Sequence, residues 1–311
     1  MNKGKLEVLC GISGSGKSTY AHEKWEENPL TTAVINRDKI RELLFGYTEQ
    51  TVSKYYSRPD ISKLEKQVTH YEDTLIYEAL QQDKTVIVDA THLNKAYLQR
   101  FEFFNVPIEY KYFDITLGGA IGRDANRNRS VGDKIISKQY NQYLELQRQG
   151  IPVKFEPVII NNNINNPKCV VFDIDGCLAN NKGTRSPFDW KRVGEDEPID
   201  SVVSAFNDLN SNNEWQLFIP LYICSGRDEV CREETEKWLN NHLYNAIERK
   251  DAVLLMRAQN DVRPDWIVKQ EMVKEITKSH FINYWYDDRI QVTRHLRSLG
   301  IKVFNVEYNN F

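Results

Sequence analysis

Residues 5–19 run KLEVLCGISGSGKST, an apolar strand-length segment followed by Gly11, Gly14 and Gly16 and closed by Lys17-Ser18-Thr19. No other stretch narrows the folding options of this chain as far. Glycines let backbone N–H groups turn inward around an anion. A helix beginning at Lys17 would add the partial positive charge of its N-terminus. The pattern GxxxxGK[ST] between a strand and a helix calls for a parallel α/β framework. Gly11, Ser13, Gly14, Ser15, Gly16, Lys17, Ser18 and Thr19 are therefore candidate contacts for a nucleotide. Lys17 is expected on the β- and γ-phosphates of ATP, and Ser18 on its Mg²⁺.

The flanking sequence agrees with that framework. Strand-like segments TTAVIN, TVIVDA and IEYKYFDI alternate with helical patterns near 62–82 and 130–149. This predicts a mostly parallel sheet with helices on both faces. The asparagine-rich IINNNINNP (159–167) interrupts the pattern, because asparagine competes with regular backbone pairing and Pro167 stops a helix. A second alternation follows, with strands CVVFDID, FIPLYICSG, DAVLLMR, INYWYDD and KVFNVE. Two α/β domains are expected, 1–160 and 161–311, in keeping with a length of 311 residues.

Charge narrows the partners. Residues 1–160 hold 22 Lys+Arg against 21 Asp+Glu, and residues 161–311 hold 19 against 23. Neither half suits extended duplex binding, which needs many phosphate contacts. A nucleic-acid partner would be gripped locally. The five cysteines form no CxxC pair, and the six histidines are scattered, so neither a disulfide frame nor a histidine metal cluster is expected. No run approaches the ~18 apolar residues of a membrane span, and the N-terminus lacks a signal-peptide core.

Catalytic candidates in the first half sit at strand ends. Asp38, just after TTAVIN, is placed to accept a proton from an attacking hydroxyl, and Arg41 follows one helical turn later. Asp89 ends TVIVDA, near the expected Mg²⁺. Arg123 and Arg127 are four apart and would share a helix face, with Arg129 beyond, as in a lid that stabilises a transferring phosphoryl group.

In the second half, DIDG places Asp173 as a nucleophile toward a phosphomonoester, and Asp175 as the acid that protonates the leaving oxygen and then activates water. Two carboxylates facing a dianionic ester require a cation. Asp173, Asp175, Asp287 and Asp288 are candidate Mg²⁺ ligands. Ser225-Gly226-Arg227 offers a hydroxyl and backbone donors for phosphoryl oxygens, and Lys269 can bridge nucleophile and phosphate.

These motifs, in this order, resemble two families. DxDG, SGR, Lys269 and the Asp287-Asp288 pair are similar to the haloacid dehalogenase-like phosphotransferases. Together with GISGSGKST, NRDKIR, VIVDATHLN and RDANR, they resemble the polynucleotide kinase 3′-phosphatases of T-even-type bacteriophages over both halves. The resemblance implies a P-loop NTPase-type domain followed by a haloacid dehalogenase-like, Rossmannoid domain. It implies transfer of the ATP γ-phosphate to 5′-hydroxyl ends of DNA or RNA and removal of 3′-phosphates. Asp38 is then the general base, Arg41 the clamp on the acceptor's neighbouring phosphate, and Arg127 a contact to the ATP phosphates, with Asp89 and Arg123 in support. Arg185, Arg227, Arg257, Asp265 and Lys269 fall at positions matching the family's phosphatase pocket. Also implied are a downstream RNA or DNA ligase, a homo-oligomer, and the cytoplasm of an infected bacterium. Human-type relatives carry the phosphatase first. Cys177 stands where many relatives have threonine, so reduced but surviving phosphatase activity is expected. Such an enzyme would heal ends left by nucleases as 5′-hydroxyl and 3′-phosphate. Two alternatives stay open on the residues alone: a kinase and phosphatase of free nucleosides or nucleotides, and a nucleotide-binding regulatory protein.

Overall fold

A computed structural model describes residues 4–46, 48, 51–126, 130–211 and 219–309. The chain forms two compact units, Met1–Pro157 and Val158–Phe311. The division precedes the asparagine-rich run because that run packs with the second unit. Asn162 brackets Ile282, accepting from its N–H (2.8 Å) and donating to its carbonyl (3.0 Å). Val158 and Ile160 pack against a core of that unit.

The first unit contains strands β1 (Lys5–Cys10), β2 (Thr32–Asn36), β3 (Thr85–Asp89), β4 (Ile108–Tyr112) and β5 (Lys154–Phe155). Their order is β2-β3-β1-β4-β5, parallel except for the β4–β5 pair. β1 lies at the centre with Leu6, Val8, Leu9 and Cys10 fully buried. A parallel strand covered on both faces loses the apolar–polar alternation, which explains the run KLEVLC. The expected helices are Ile61–Gln81 and Asp133–Arg148. The helix carrying Arg123 spans Leu117–Ala125, with Asn126 as its cap. Arg127 and Arg129 lie outside the described residues.

The second unit contains β6 (Lys168–Phe172), β7 (Ala179–Asn180), β8 (Glu197–Pro198), β9 (Leu221–Asp228), β10 (Ala252–Arg257), β11 (Phe281–Arg289) and β12 (Val303–Asn309). The main sheet is parallel, in the order β10-β9-β6-β11-β12, and β7–β8 form a short antiparallel ladder. Successive side chains of β6 alternate between two cores. Val170 and Phe172 join Phe206 and Trp238 on one face, while Cys169 and Val171 join Trp285 and Val292 on the other. The five cysteines are buried and unbridged. No described helix is long and apolar enough to cross a membrane.

In each sheet a central strand, β1 or β6, is flanked by strands reached through opposite crossovers. Such a switch point opens a crevice at the carboxyl end of the central strand, where ligands of parallel α/β sheets bind. GISGSGKST follows β1 and DIDG follows β6.

Candidate active sites

In the first unit the loop after β1 leads into the helix Lys17–Glu27 through Gly16, at φ 99°. Lys17 is buried, and its Nζ donates to the Ile12 carbonyl (2.8 Å) and to Ser15 Oγ (3.3 Å). The ammonium is thus folded back across its own loop, ready to exchange these oxygens for phosphate oxygens. The Ser13 N–H donates to Gln139 Oε1 (2.8 Å), and Arg123 Nη1 donates to the Gly14 carbonyl (3.3 Å). Ser18 and Thr19 are exposed in the first helical turn.

The end of β2 is tied to the end of β3. Asn36 Nδ2 donates to buried Asp89 (2.8 Å), while its Oδ1 accepts from the Asp38 and Lys39 N–H groups and starts the helix Arg37–Phe45. Asp38 is therefore held at a helix start with a half-exposed carboxylate. It shares with Lys17, Ser18, Arg41, Asp89 and Tyr97 a cleft of about 1460 Å³.

Arg41 is more committed than its expected role as a free clamp requires. It chelates Glu65 through Nε and Nη2 (both 2.8 Å) and bonds Asp38 Oδ1 through Nη1 (2.7 Å). Burial would raise the Glu65 carboxyl, but the bonds from Arg41 and Arg37 outweigh it and hold the group down at about 2. Arg37 also pairs with buried Glu72 (2.6 Å), which accepts from Arg100 and Tyr97 as well. Glu65 and Glu72 were missed from the sequence, although one signal existed. Leu64, Val68, Ile76 and Leu80 form the buried stripe of the helix Ile61–Gln81, and Glu72 occupies the missing i+4 position.

His92 lines the same cleft at φ 48°, fully buried against Tyr97 and Phe101. Its Nδ1 contacts the Leu9 carbonyl (2.7 Å), and its Nε2 lacks a hydrogen-bond partner among the described residues. Burial lowers its pKa to about 4. The unfolded chain therefore binds a proton near pH 6.5 that the folded chain refuses until about pH 4. Stability conferred by neutral His92 is complete above pH 6.5 and is lost as pH falls through that window, by up to about 3 kcal/mol. Urea unfolding between pH 7 and 4.5 should show this loss. It should shrink in His92→Asn, which tolerates the left-handed backbone.

In the second unit Lys269 is fully buried among three carboxylates: Asp287 (2.7 Å), Asp173 (2.9 Å) and Asp265 (3.4 Å). Burial would neutralise it, but these anions keep its pKa well above the ordinary value. Asp173 is pushed upward by burial and by Asp287 and Asp288, against the pull of Lys269. Oxygens of Asp173, Asp287 and Asp288 lie within 4.8 Å of one another. Asp288 adds a fourth buried carboxylate beside the three that Lys269 holds, and an all-oxygen donor set of Asp173, Asp287 and Asp288 suits a hard divalent cation such as Mg²⁺. Gly176, at φ 79°, makes room: a Cβ there would collide with the Asp288 carboxylate.

Asp175 is not part of that carboxylate cluster among the described residues. Its side chain is drawn instead to Arg185 Nη2 (2.8 Å) and Arg227 Nη2 (2.9 Å). A residue not foreseen, Asp196, accepts from both arginines (2.7 and 2.6 Å) and is fully buried at its side chain. Arg185 spends its remaining donors on Asp196 Oδ1 and on the Ser186 and Pro187 carbonyls. Arg257 spends its donors on Gly226, Asp261 and Arg263 carbonyls and on Asp265. Both brace loops, Arg185 through five bonds and Arg257 through four. Arg227 differs: it is 0% exposed and its Nη1 has no partner among the described residues. An unpaired buried guanidinium nitrogen is costly without an acceptor, and a phosphoryl oxygen is the acceptor it fits. Ser225 is fully buried and accepts from the Arg227 N–H (3.2 Å).

The fold and these sites define a class, and family models match both halves of the chain. Residues 167–311 match the family model of the polynucleotide kinase PNKP phosphatase domain, and residues 6–148 match that of an AAA domain. The chain joins a P-loop, kinase-like unit to a haloacid dehalogenase-like phosphatase unit. It is 28% identical, over 97% of its length, to a protein of Autographa californica nuclear polyhedrosis virus described as a bifunctional polynucleotide kinase/RNA ligase. The chain spans 42% of that relative. A chain in the structure of the Pnkp1/Rnl/Hen1 RNA repair complex is 25% identical, with a TM-score of 0.44 over 99% of this chain and 97% of that one. A deoxyadenosine kinase from M. mycoides is 21% identical, with a TM-score of 0.30 over 47% of this chain and 84% of its own.

Proposed function

We propose that this protein heals nucleic-acid ends, as a polynucleotide 5′-hydroxyl kinase and 3′-phosphatase with the kinase unit first, the arrangement of the T-even-type enzymes. The observation that carries this reading is the direct bond between Asp38 and Arg41 at the mouth of the phosphate-binding loop. It sets a proton acceptor beside a phosphate handle. A free nucleoside has no use for the handle, whereas a 5′-hydroxyl end always carries a phosphate nearby.

In the kinase unit, ATP lies along the loop 11–18 with Lys17 on its phosphates. The acceptor's neighbouring phosphate takes Nη1 of Arg41 from Asp38, while Glu65 keeps the guanidinium in place. The freed Asp38 carboxylate takes the proton of the 5′-hydroxyl. That oxygen bonds to the γ-phosphorus, and ADP leaves.

In the phosphatase unit, Mg²⁺ held by Asp173, Asp287 and Asp288 would offset the charge of carboxylates and ester. An oxygen of Asp173 bonds to phosphorus as the ester P–O bond breaks, and Asp175 gives its proton to the departing 3′-oxygen. Water then attacks the acyl phosphate, Asp175 regains a proton, and inorganic phosphate leaves Asp173 free. Lys269 holds Asp173 oriented, Arg227 receives a phosphoryl oxygen through Nη1, and Asp196 holds both arginines. The products suit a reaction that seals a 5′-phosphate to a 3′-hydroxyl, so a ligase is the class of partner downstream.

One incubation tests the reading: ATP, Mg²⁺ and an oligonucleotide bearing 5′-hydroxyl and 3′-phosphate, with each end analysed separately. Gain of a 5′-phosphate and loss of the 3′-phosphate are expected. Phosphorylation of free nucleosides but not of the oligonucleotide would move the assignment to nucleoside metabolism.

A further inference from the structure

We propose that the turn following Arg185 is a base-stacking platform, Phe188 backed by Trp190, for an unpaired nucleotide whose 3′-phosphate enters the phosphatase site. The proposal rests on the phosphatase reading above and adds what lies outside the phosphate.

Residues 186–189 form a turn closed by the Asp189 N–H on the Ser186 carbonyl (3.0 Å), and Phe188 sits near its tip. Its ring is 79% exposed, an unusual state for a phenylalanine. Half-buried Trp190 meets it edge-on, with centroids 6.0 Å apart and planes at 89°. The two rings stand perpendicular, and most of Phe188 is open to solvent.

The turn is fixed to the chemistry by one guanidinium. Arg185 Nη1 donates to the Ser186 and Pro187 carbonyls (3.3 Å each), and Nη2 of the same group donates to Asp175 (2.8 Å). The residue just before Phe188 is thus one guanidinium away from the acid that serves the leaving 3′-oxygen. That oxygen belongs to the sugar whose base must lie just outside the pocket.

Two other loops tied to the site end the same way. Asp228, next to Arg227, accepts from the Val230 and Asn260 N–H groups (2.9 and 3.0 Å), and Arg257 holds the carbonyls either side of Val262. Both valines are exposed. The exposed Arg263 is occupied by Asp261 and Glu271, and the exposed Arg192, just past Trp190, by Glu195. An apolar ring on a braced turn suits the face of a base. The occupant is an unpaired 3′-terminal base, which offers a face without a complementary strand crowding the turn, whereas a paired terminal base brings its partner with it. Stacking reads every base alike, and discrimination among bases is not expected.

The test compares two 3′-phosphorylated oligonucleotides, one ending in thymidine and one in an abasic residue, on wild type, Phe188→Ala and Phe188→Trp. Phe188→Ala should raise KM for the thymidine end about tenfold, with kcat little affected. Phe188→Trp should restore it. The abasic end should show the raised KM already in wild type and no further change with Phe188→Ala. Thermal melting checks that each variant is folded. Equal effects on both oligonucleotides, or none on either, would overturn the platform. Wild type that releases phosphate from neither would overturn the phosphatase reading, and the platform with it.

Discussion

Asp173→Asn should abolish 3′-phosphate removal, by roughly 10⁴-fold or more, while 5′-phosphorylation by the same preparation stays at the wild-type level. That is the scale on which loss of a covalent nucleophile is felt. Asparagine preserves shape, so Lys269 keeps Asp287 and Asp265 as partners and the melting temperature should hold. Lys269→Met offers the contrast. It also removes phosphatase activity, but it leaves Asp173, Asp265 and Asp287 buried without their shared cation, and breaking such a group costs about 3–5 kcal/mol. The two variants should therefore match in activity and differ sharply in urea midpoint. If Asp173→Asn also silenced the kinase, the units would not be chemically independent. If it retained phosphatase activity, Asp173 would not be the nucleophile.

The elements and the ends of the central strands were legible because both signals are local. KLEVLC and CVVFDID read as buried parallel strands from their composition, and each is followed at once by its glycine-bearing loop. Asp173, Lys269, Asp287 and Asp288 could be named because Asp173 follows β6, Lys269 lies in a helix and the Asp pair lies near the end of β11, and the structure brings them together. What the sequence concealed is which charges neutralise which. Asp196 lies in GEDEP, among three acidic residues with no periodicity to single one out. Its place is set by Arg185 and Arg227, 11 and 31 residues away. Arg185 and Arg257 were candidates through the family resemblance, and only the fold shows how they are engaged by carboxylates and loop carbonyls. Glu65 was invisible for the same reason, since its role exists only through Arg37 and Arg41 across 24 to 28 residues.

Asp38→Ala should lower 5′-phosphorylation about 10²- to 10⁴-fold, the range for a lost general base, and leave phosphatase activity at the wild-type level. Lys17→Ala should do the same through loss of the phosphate contact. Glu65→Gln separates the base from the handle. It keeps Asp38 but removes the charge that chelates Arg41, freeing Arg41 to close more tightly on Asp38 or to swing away. Either movement degrades the acceptor phosphate site, so the acceptor KM should rise about tenfold while the KM for ATP is maintained, since the loop 11–18 makes no bond to Glu65 among those described. A matched rise in both KM values would show Glu65 acting on the whole unit through stability. A rise confined to the acceptor would mark Arg41 as the handle and Glu65 as the group that positions it, which is the distinction between a polynucleotide kinase and a P-loop enzyme that only needs a hydroxyl.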